Sequence, residues 1–440
     1  MNSLLNEKRL IFSLTFPIAA SLLLENLVYF LNTWMLAKLG NDTLAASALL
    51  TSLFASLMMI LWGVFSSSGV LYARFLGKND TLSISQLLGT SNALAIFFGI
   101  FTSIILWHAN LILKYLGQPP DTIRIATSYA HGLALAEIPD LLTFSLFNFL
   151  QGINKVKILF FLSLIYVPLN IFLNYALVFG KYGFPALQAA GVGYGTFLSY
   201  LILLFLMIVY FFSESSIRIY CKSLIRFSKK EMIDLFLNGL PLGIMWSLSY
   251  AFLFLIAALL GHINVTALAA YQIVTQWGNT FFIFVLALSN VLKLRIGFFL
   301  GQQNWPALQN SNKIIFRFDI VYFILLTPFF FLLEKYLIGF DINLTDPANH
   351  MVIYYAGLFF KASWFYLLFF SINYLFCNAL MALKEIKFII LSTFICWICI
   401  GTGLAGLSAY FYPNIPLGPY VAMIFSELVA ICCIGIRWYK

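Results

Sequence analysis

Residues 51–73 read TSLFASLMMILWGVFSSSGVLYA and contain no charged side chain. An α-helix needs about 20 predominantly apolar residues to cross the hydrocarbon core of a bilayer. Similar uncharged runs recur along the chain, for example at 158–180 and 388–415. They predict transmembrane helices. A transmembrane barrel would instead show alternating polarity in segments of about ten residues, and that pattern is absent from the sequence.

Counting such runs predicts twelve transmembrane helices. Their approximate ranges are 10–36, 46–73, 88–116, 124–151, 158–180, 191–213, 234–260, 266–292, 314–340, 350–383, 387–411 and 417–437. Only 9% of the 440 residues are charged, against about 25% in a soluble globular domain. The chain therefore needs lipid around it. The first run is too long for a cleaved signal peptide.

The net charge of +9 follows the predicted membrane topology. With both termini in the cytoplasm, most of the 25 Lys and Arg residues fall in inside loops and tails, as the positive-inside rule requires. We therefore expect a multi-pass protein of the cell (inner) membrane with both termini cytoplasmic. The basic excess does not predict a nucleic-acid partner.

The sequence contains an internal repeat, in which the second half of the chain duplicates the first. An offset of 224 residues superposes three separated elements: Pro17 on Pro241, Leu44–Ala46 on Leu268–Ala270, and Phe75–Gly77 on Phe299–Gly301. An even number of helices per half makes the repeats parallel. The predicted domains are an N-lobe at 1–213, a cytoplasmic linker at 214–231 and a C-lobe at 232–440.

Short motifs in a fixed order carry a resemblance to a known family. They are Leu39-Gly40, Leu260-Gly261, Leu150-Gln151-Gly152, Asn170-x-x-x-Asn174, Phe184-Pro185 and Arg295-Ile296-Gly297, together with the duplicated elements above. Because these motifs occur in this order, the chain resembles the multidrug and toxic compound extrusion (MATE) transporters. The resemblance implies an all-α membrane protein with twelve transmembrane helices in two pseudo-symmetric six-helix lobes arranged in a V. It also implies antiport, in which a cationic amphipathic compound leaves while protons or sodium ions enter.

The family's cation pocket maps, by resemblance, to Asn32, Tyr129, Asn170, Asn174 and Thr196. Three acids that members of the family carry are replaced here. Asn32 and Asn174 stand where many members have an aspartate, and Ser249 stands where the sodium-coupled branch has a glutamate. Fewer anionic oxygens suit a hard cation poorly. We therefore expect protons, rather than sodium ions, to be the coupling ions, and no other cofactor or metal.

Three acids of the first half lie within predicted helices: Glu25, Glu137 and Asp140. A charge at membrane depth costs at least about 2.5–3.5 kcal/mol on insertion scales. We add these acids to the coupling site, because protonation of such a group from outside and its deprotonation inside would link proton entry to cation exit. Structural roles remain open, such as a hydrogen bond from Glu25 to Tyr29, hydration of a kink at Pro139, or helix–helix contacts of the asparagines.

A substrate pocket is a further hypothesis. Its candidate residues are Tyr29, His131, Ser249, Gln272, Gln276, Lys361 and Asn373, and the predicted hinges are Pro17, Pro139 and Pro241. Aromatic residues near them would attract organic cations, although such residues can also face lipid, and snorkelling explains Lys361 equally well. Asp319 and Glu427 are expected to be paired or interfacial.

The expected partners are small organic cations and the lipid bilayer, and the expected state is a monomer. A lipid-linked oligosaccharide flippase of the same superfamily is the nearest alternative, but it calls for a basic cavity, and only Lys361 and His131 are candidates. An intramembrane enzyme is not expected, because the sequence contains no His-Glu-x-x-His, Gly-x-Gly-Asp or Asp-rich diphosphate motif. Cys396-x-x-Cys399 lacks a second ligand pair, which favours small apolar helix residues over a metal site.

Overall fold

A computed structural model describes residues 2–220, 227–412 and 416–439. These residues form helices and no β-strand, and twelve helices are long and apolar enough to cross a membrane. The predicted all-α membrane fold is confirmed. The helices are α1 Asn2–Lys38, α2 Asn41–Gly77, α3 Thr81–Trp107, α4 Pro120–Gly152, α5 Val156–Phe179, α6 Ala189–Ser213, α7 Lys229–Ile263, α8 Val265–Gln302, α9 Trp305–Phe331, α10 His350–Ala382, α11 Ile386–Phe411 and α12 Gly418–Tyr439.

Several helices begin earlier than the apolar runs predict, and side-chain caps mark two of these starts. α3 begins at Thr81 and α9 at Trp305, not near residues 88 and 314. The Asp80 side chain accepts a hydrogen bond from the Ser83 backbone N–H (3.0 Å), and the Asn304 side chain accepts one from Ala307 (3.1 Å). Such N-caps satisfy backbone donors that the first turn leaves unpaired. The polar first turns are therefore helical, although they fail the hydropathy criterion.

Both helices also end before the predicted limits. The residues beyond them form the short separate helices Ala109–Tyr115 and Glu334–Asp341. The hydropathy criterion joins each short helix to the long one before it, because it detects apolar composition and not a break in the backbone.

The duplication extends to backbone conformation. Asp80 and Asn304 are separated by the same 224 residues as Pro17 and Pro241. The residues before these caps, Asn79 and Gln303, have φ of 57° and 58°, a left-handed conformation that costs energy for any residue except glycine. The turn after α2 and the turn after α8 therefore share one geometry.

Contacts divide the chain into two compact units. The N-unit is Phe16–Gly243 with Gly297–Gln303, and the C-unit is Met1–Thr15 with Ile244–Ile296 and Asn304–Lys440. Two of the divisions fall inside α1 and α7, each within two residues of Pro17 or Pro241. Pro139 likewise lies inside α4. Because proline removes a helical hydrogen bond, each site can bend, but the hinge role stays a prediction.

Part of the predicted linker at 214–231 lies outside the described residues, because residues 221–226 are not described. On either side of that gap, Ser215–Arg218 forms a short helix and α7 begins at Lys229.

Glycines allow close backbone contacts within the N-unit. A Cβ at Gly301 would meet the backbone oxygen of Arg74, and one at Gly77 would meet that of Phe298. Gly63 of α2 faces the Gly243 backbone of α7 in the same way. The two copies of the Phe-Leu-Gly element thus pack against each other, as small residues allow in membrane helices.

Candidate functional site

Three asparagines and a threonine form an amide cluster in the N-unit. Asn174 Nδ2 donates to Asn32 Oδ1 (2.8 Å) and to Asn170 Oδ1 (2.9 Å). Asn170 Nδ2 in turn lies 3.5 Å from Thr196 Oγ1. Asn170 and Asn174 are fully buried one turn apart on α5. The structure therefore brings together four residues of the pocket that the family resemblance implied.

The fifth residue of that pocket, Tyr129, is buried on α4 and lies near Tyr29. Asn174 Oδ1 is buried and accepts no hydrogen bond from the residues that the structure describes. Gly195 of α6 lies against this oxygen, where a Cβ would collide with it. A buried carbonyl oxygen without a partner is suited to bind a water molecule or a cation.

An acid cluster lies beside the amide cluster. The Tyr200 hydroxyl interacts with the Asp140 carboxylate, and the Tyr200 ring stacks on Tyr166 with centroids 5.1 Å apart. Glu25 is close enough to Asp140 for an electrostatic interaction, and so is Glu137. The three predicted acids of the first half therefore form one group, although they come from two helices.

The sequence interpretation missed Tyr166 and Tyr200. Tyr166 precedes Asn170 by four residues on α5, and Tyr200 follows Thr196 by four residues on α6. Residues four apart share a helix face. This spacing was the available signal, and it places the acid cluster one turn from the amide cluster on both helices.

The three acids differ in exposure. Glu25 is exposed and Asp140 is half-buried. Glu137 is only 2% exposed, and its Oε2 has no hydrogen-bond partner within the described part of the chain. The Thr102 hydroxyl lies beside the same carboxyl group. Glu25 and Asp140 can therefore meet a solute, whereas Glu137 is closed off by packing.

The predicted substrate residues are scattered in the structure. His131 stacks on Trp107 (4.4 Å between centroids), with Nε2 3.2 Å from the Trp107 carbonyl oxygen. In the C-unit, Lys361 and Gln272 are exposed, Ser249 is half-buried, and Gln276 donates to Asp341 (3.3 Å). Asn373 is buried and donates to Glu427. None of these five C-unit residues lines the cavity of about 50 Å³ between α7, α8, α10 and α12.

A family comparison identifies the fold. The MatE family model matches the chain twice, over residues 17–176 and 241–405. The chain belongs to the MatE family. Each MatE match begins at a proline, Pro17 or Pro241, and these are the residues that the 224-residue offset superposes.

Individual MatE relatives cover most of the chain. One from Synechocystis sp., described as a probable multidrug resistance protein NorM, is 27% identical over 345 residues and covers 78% of this chain and 75% of the relative. A protein from Pseudomonas putida with the same description is 27% identical over 408 residues, or 92% and 88% of the two chains. A solved structure of MATE in complex with MaL6 superposes with a TM-score of 0.88 at 15% identity and covers 98% and 95%. That likeness supports the fold.

Proposed function

We propose that the protein is a secondary active multidrug efflux transporter. It exports cationic amphipathic compounds from the cytoplasm in exchange for inward-moving protons, and its lobes at 1–213 and 232–440 rock to open the site to each side in turn. Membership of the MatE family and relatives described as probable multidrug resistance proteins support this proposal.

The observation that carries the proposal is the acid cluster of the N-unit. Glu25 and Asp140 lie close together. Tyr200, which interacts with Asp140, follows Thr196 of the amide cluster by one turn of α6. Two neighbouring carboxyl groups attract a cation when ionised and lose that attraction when protonated. A proton that enters from outside would therefore release a bound cation, and loss of the proton to the inside would restore the site.

The chemistry of the two clusters favours protons over sodium. A hard cation prefers several oxygen ligands, including carboxylates. Asn174 Oδ1 is the one amide oxygen of this cluster without a hydrogen-bond partner among the described residues. The acid cluster instead places a phenol, Tyr200, beside Asp140, and a phenol can donate a hydrogen bond to an ionised carboxylate.

The flippase alternative gains no support from the structure. A site for a lipid-linked pyrophosphate would need cations directed into it. His131 stacks on Trp107, and Lys361 is exposed on α10.

The proposed setting is the cell (inner) membrane, with a monomer that has both termini in the cytoplasm. The distribution of Lys and Arg residues along the sequence supports this orientation. Cysteine-accessibility labelling of single substitutions at Ser3 and Trp438 in intact cells tests it. Labelling of either site by a reagent that cannot cross the membrane would contradict the proposed topology.

Ethidium efflux from proteoliposomes tests the function. We expect an imposed proton gradient to drive efflux and a sodium gradient to fail. Glu25→Gln should slow proton-driven efflux, whereas Asp121→Asn, an exposed acid paired with Arg124, should not. Efflux driven by a sodium gradient alone would contradict the proposal that protons are the coupling ions. Normal proton-driven efflux by Glu25→Gln would remove Glu25 from the site.

A further inference from the structure

Glu427 is a buried acid on α12 that the proposed exchange at Asp140 does not use. It is 0% exposed. Asn373 Nδ2 donates to its Oε2 at 2.8 Å, whereas its Oε1 is buried with no hydrogen-bond partner among the residues described. An ionised carboxylate in an apolar interior costs far more than a neutral one. The site therefore needs a proton or a cation on Oε1.

No basic side chain occurs among the described groups that interact with this carboxyl. From α10 these groups are Tyr366, Asn373 and Cys377, and from α11 they are Cys396 and Trp397. The Trp397 indole lies beside the carboxyl group, but its Nε1 is also buried without a hydrogen-bond partner in the described structure. A charge on Glu427 would thus be uncompensated, which favours a bound proton.

The helix segment that carries Trp397 is unusual. Residues Phe394–Gly401 of α11 form a π-helix. Such segments are rare and are frequently found at functional sites. This one presents Cys396 and Trp397 to the carboxyl group, and Trp397 also stacks on Phe252 (6.2 Å between centroids). The π-helical segment thus contains the indole that lies next to Glu427.

A cavity of about 50 Å³ between α7, α8, α10 and α12 is large enough to hold water. It is lined in part by Tyr271, Tyr366, Tyr420 and Met423. Met423 lies four residues before Glu427 on the same helix, a distance of about 6 Å along the axis. A water molecule needs about 10–15 Å³ in a cavity and polar partners, and tyrosine hydroxyls can provide the partners.

We propose that Glu427 is a second proton-binding site, in the C-unit, loaded through water in this cavity. Loading forms an O–H bond at Oε1 with a proton taken from water, and unloading returns the proton to water. Asn373 holds Oε2 in both states. In this way Glu427 adds a proton to the exchange, a role that rests on the proposed function.

The duplication supports this site. An offset of 227 residues pairs Gly191 with Gly418 and Ser199 with Ser426. The same offset places Glu427 opposite Tyr200, the partner of Asp140. Each half therefore has an acid that interacts with a polar side chain of another helix. In the first half the acid, Asp140, is on α4 and its partner on α6. In the second half the acid, Glu427, is on α12 and its partner, Asn373, on α10.

Infrared difference spectroscopy of the full-length protein in lipid tests the site without transport. We compare spectra at acidic and alkaline pH in the carbonyl region of protonated carboxyl groups. We expect Glu427→Gln to lose one titrating component, and Glu385→Gln, an exposed acid paired with Arg437, to keep it. An unchanged band in Glu427→Gln would overturn the proposal.

Asn373→Leu provides a second measurement should Glu427→Gln fail to fold. Loss of the hydrogen bond to Oε2 should shift the frequency of the same component, and an unshifted band would overturn the proposal.

The role in coupling has its own measurement. The number of protons moved per exported ethidium should fall in Glu427→Gln and stay unchanged in Glu385→Gln. An equal ratio in both variants would overturn the coupling role. If Glu427 titrates but the protein shows no proton-driven efflux, the proposed function is contradicted, whereas the proton-binding site at Glu427 is still supported.

Discussion

The turn after α2 and the turn after α8 have the same backbone, whereas the polar clusters of the two halves carry their acids on different helices. Asn79 and Gln303 share a left-handed φ, and Asp80 and Asn304 share a capping role. Turns repeat because their geometry is set by local hydrogen bonds. The polar contacts inside each half depend instead on which helices face each other, and these contacts differ between the two halves.

The difference between the clusters is one of exposure. Asp140 is half-buried, with Tyr200 as its partner and Glu25 nearby. Glu427 is completely buried, with Asn373 as its partner. A half-buried acid can meet a cationic solute directly. An acid closed off by packing can exchange only something as small as a proton, so the same scaffold suits two different tasks.

The contact between the duplicated turns should be the most sensitive to substitution. Gly301→Val places a Cβ against the Arg74 backbone oxygen, and overpacking of this kind costs about 1–3 kcal/mol or more. We expect a marked fall in the thermal unfolding temperature in detergent. Gly403→Val is the matched control, because a Cβ there meets open space. Equal unfolding temperatures for both variants would contradict the packing of the two turns.

Substitution in the buried pair of the second half, Asn373 and Glu427, should have the next largest effect on stability. Asn373→Leu removes the donor to Glu427 Oε2 and leaves that oxygen unpaired, at a cost of about 1–3 kcal/mol. Thermal unfolding should show the loss, while Asn310→Leu at an exposed position of α9 should change stability by less than about 0.5 kcal/mol. A stable Asn373→Leu protein would show that the hydrogen bond contributes little.

The half-buried acid of the first half should dominate transport. Asp140→Asn keeps the shape of the side chain but cannot change charge, so we expect proton-driven ethidium efflux to fall about tenfold, which corresponds to about 1.4 kcal/mol. Asp121→Asn is the control on an exposed acid. The comparison of the two halves fails if Glu427→Gln slows efflux more than Asp140→Asn does.

Tyr200→Phe should have a smaller effect on the same acid. It removes a hydroxyl that interacts with Asp140, and one hydrogen bond contributes about 0.5–1.5 kcal/mol. We expect efflux to slow severalfold and its pH profile to shift, because the ionised carboxylate loses a donor. Tyr182→Phe, on an exposed tyrosine, should leave both unchanged. An unshifted profile in Tyr200→Phe would separate the phenol from the acid.

Substitution of the helix N-cap Asp80 should have the smallest effect on stability, and this effect should appear as a change in the pH dependence of unfolding. The Ser83 backbone N–H and hydroxyl hold the pKa of Asp80 below its usual range. This contribution to stability is present above the ordinary pKa of an aspartate and is lost as pH falls through the lowered pKa of the folded protein. The Asn304 cap does not titrate.

Asp80→Asn should therefore remove this part of the acid sensitivity of the unfolding temperature and change stability at neutral pH by less than about 1 kcal/mol. An unchanged slope against pH would show that the Asp80 cap does not titrate with folding.

Several features were readable from local sequence. The apolar runs predicted all twelve helices, and the 224-residue offset predicted the duplication. The spacing of Asn170 and Asn174 placed both on one face of α5. The starts of α3 and α9 were missed, because Asp80 and Asn304 act through side-chain geometry that hydropathy does not measure.

The sequence by itself determined that the chain is a duplicated set of membrane helices, because hydrophobicity and helical spacing are properties of consecutive residues. Only the tertiary structure decided that Tyr200 meets Asp140, that Asn174 meets Asn32, and that Glu427 is buried against Asn373. Each of these pairs joins side chains of different helices. Their meeting depends on how each helix is rotated and packed against its neighbours, and no local pattern in the chain specifies that rotation.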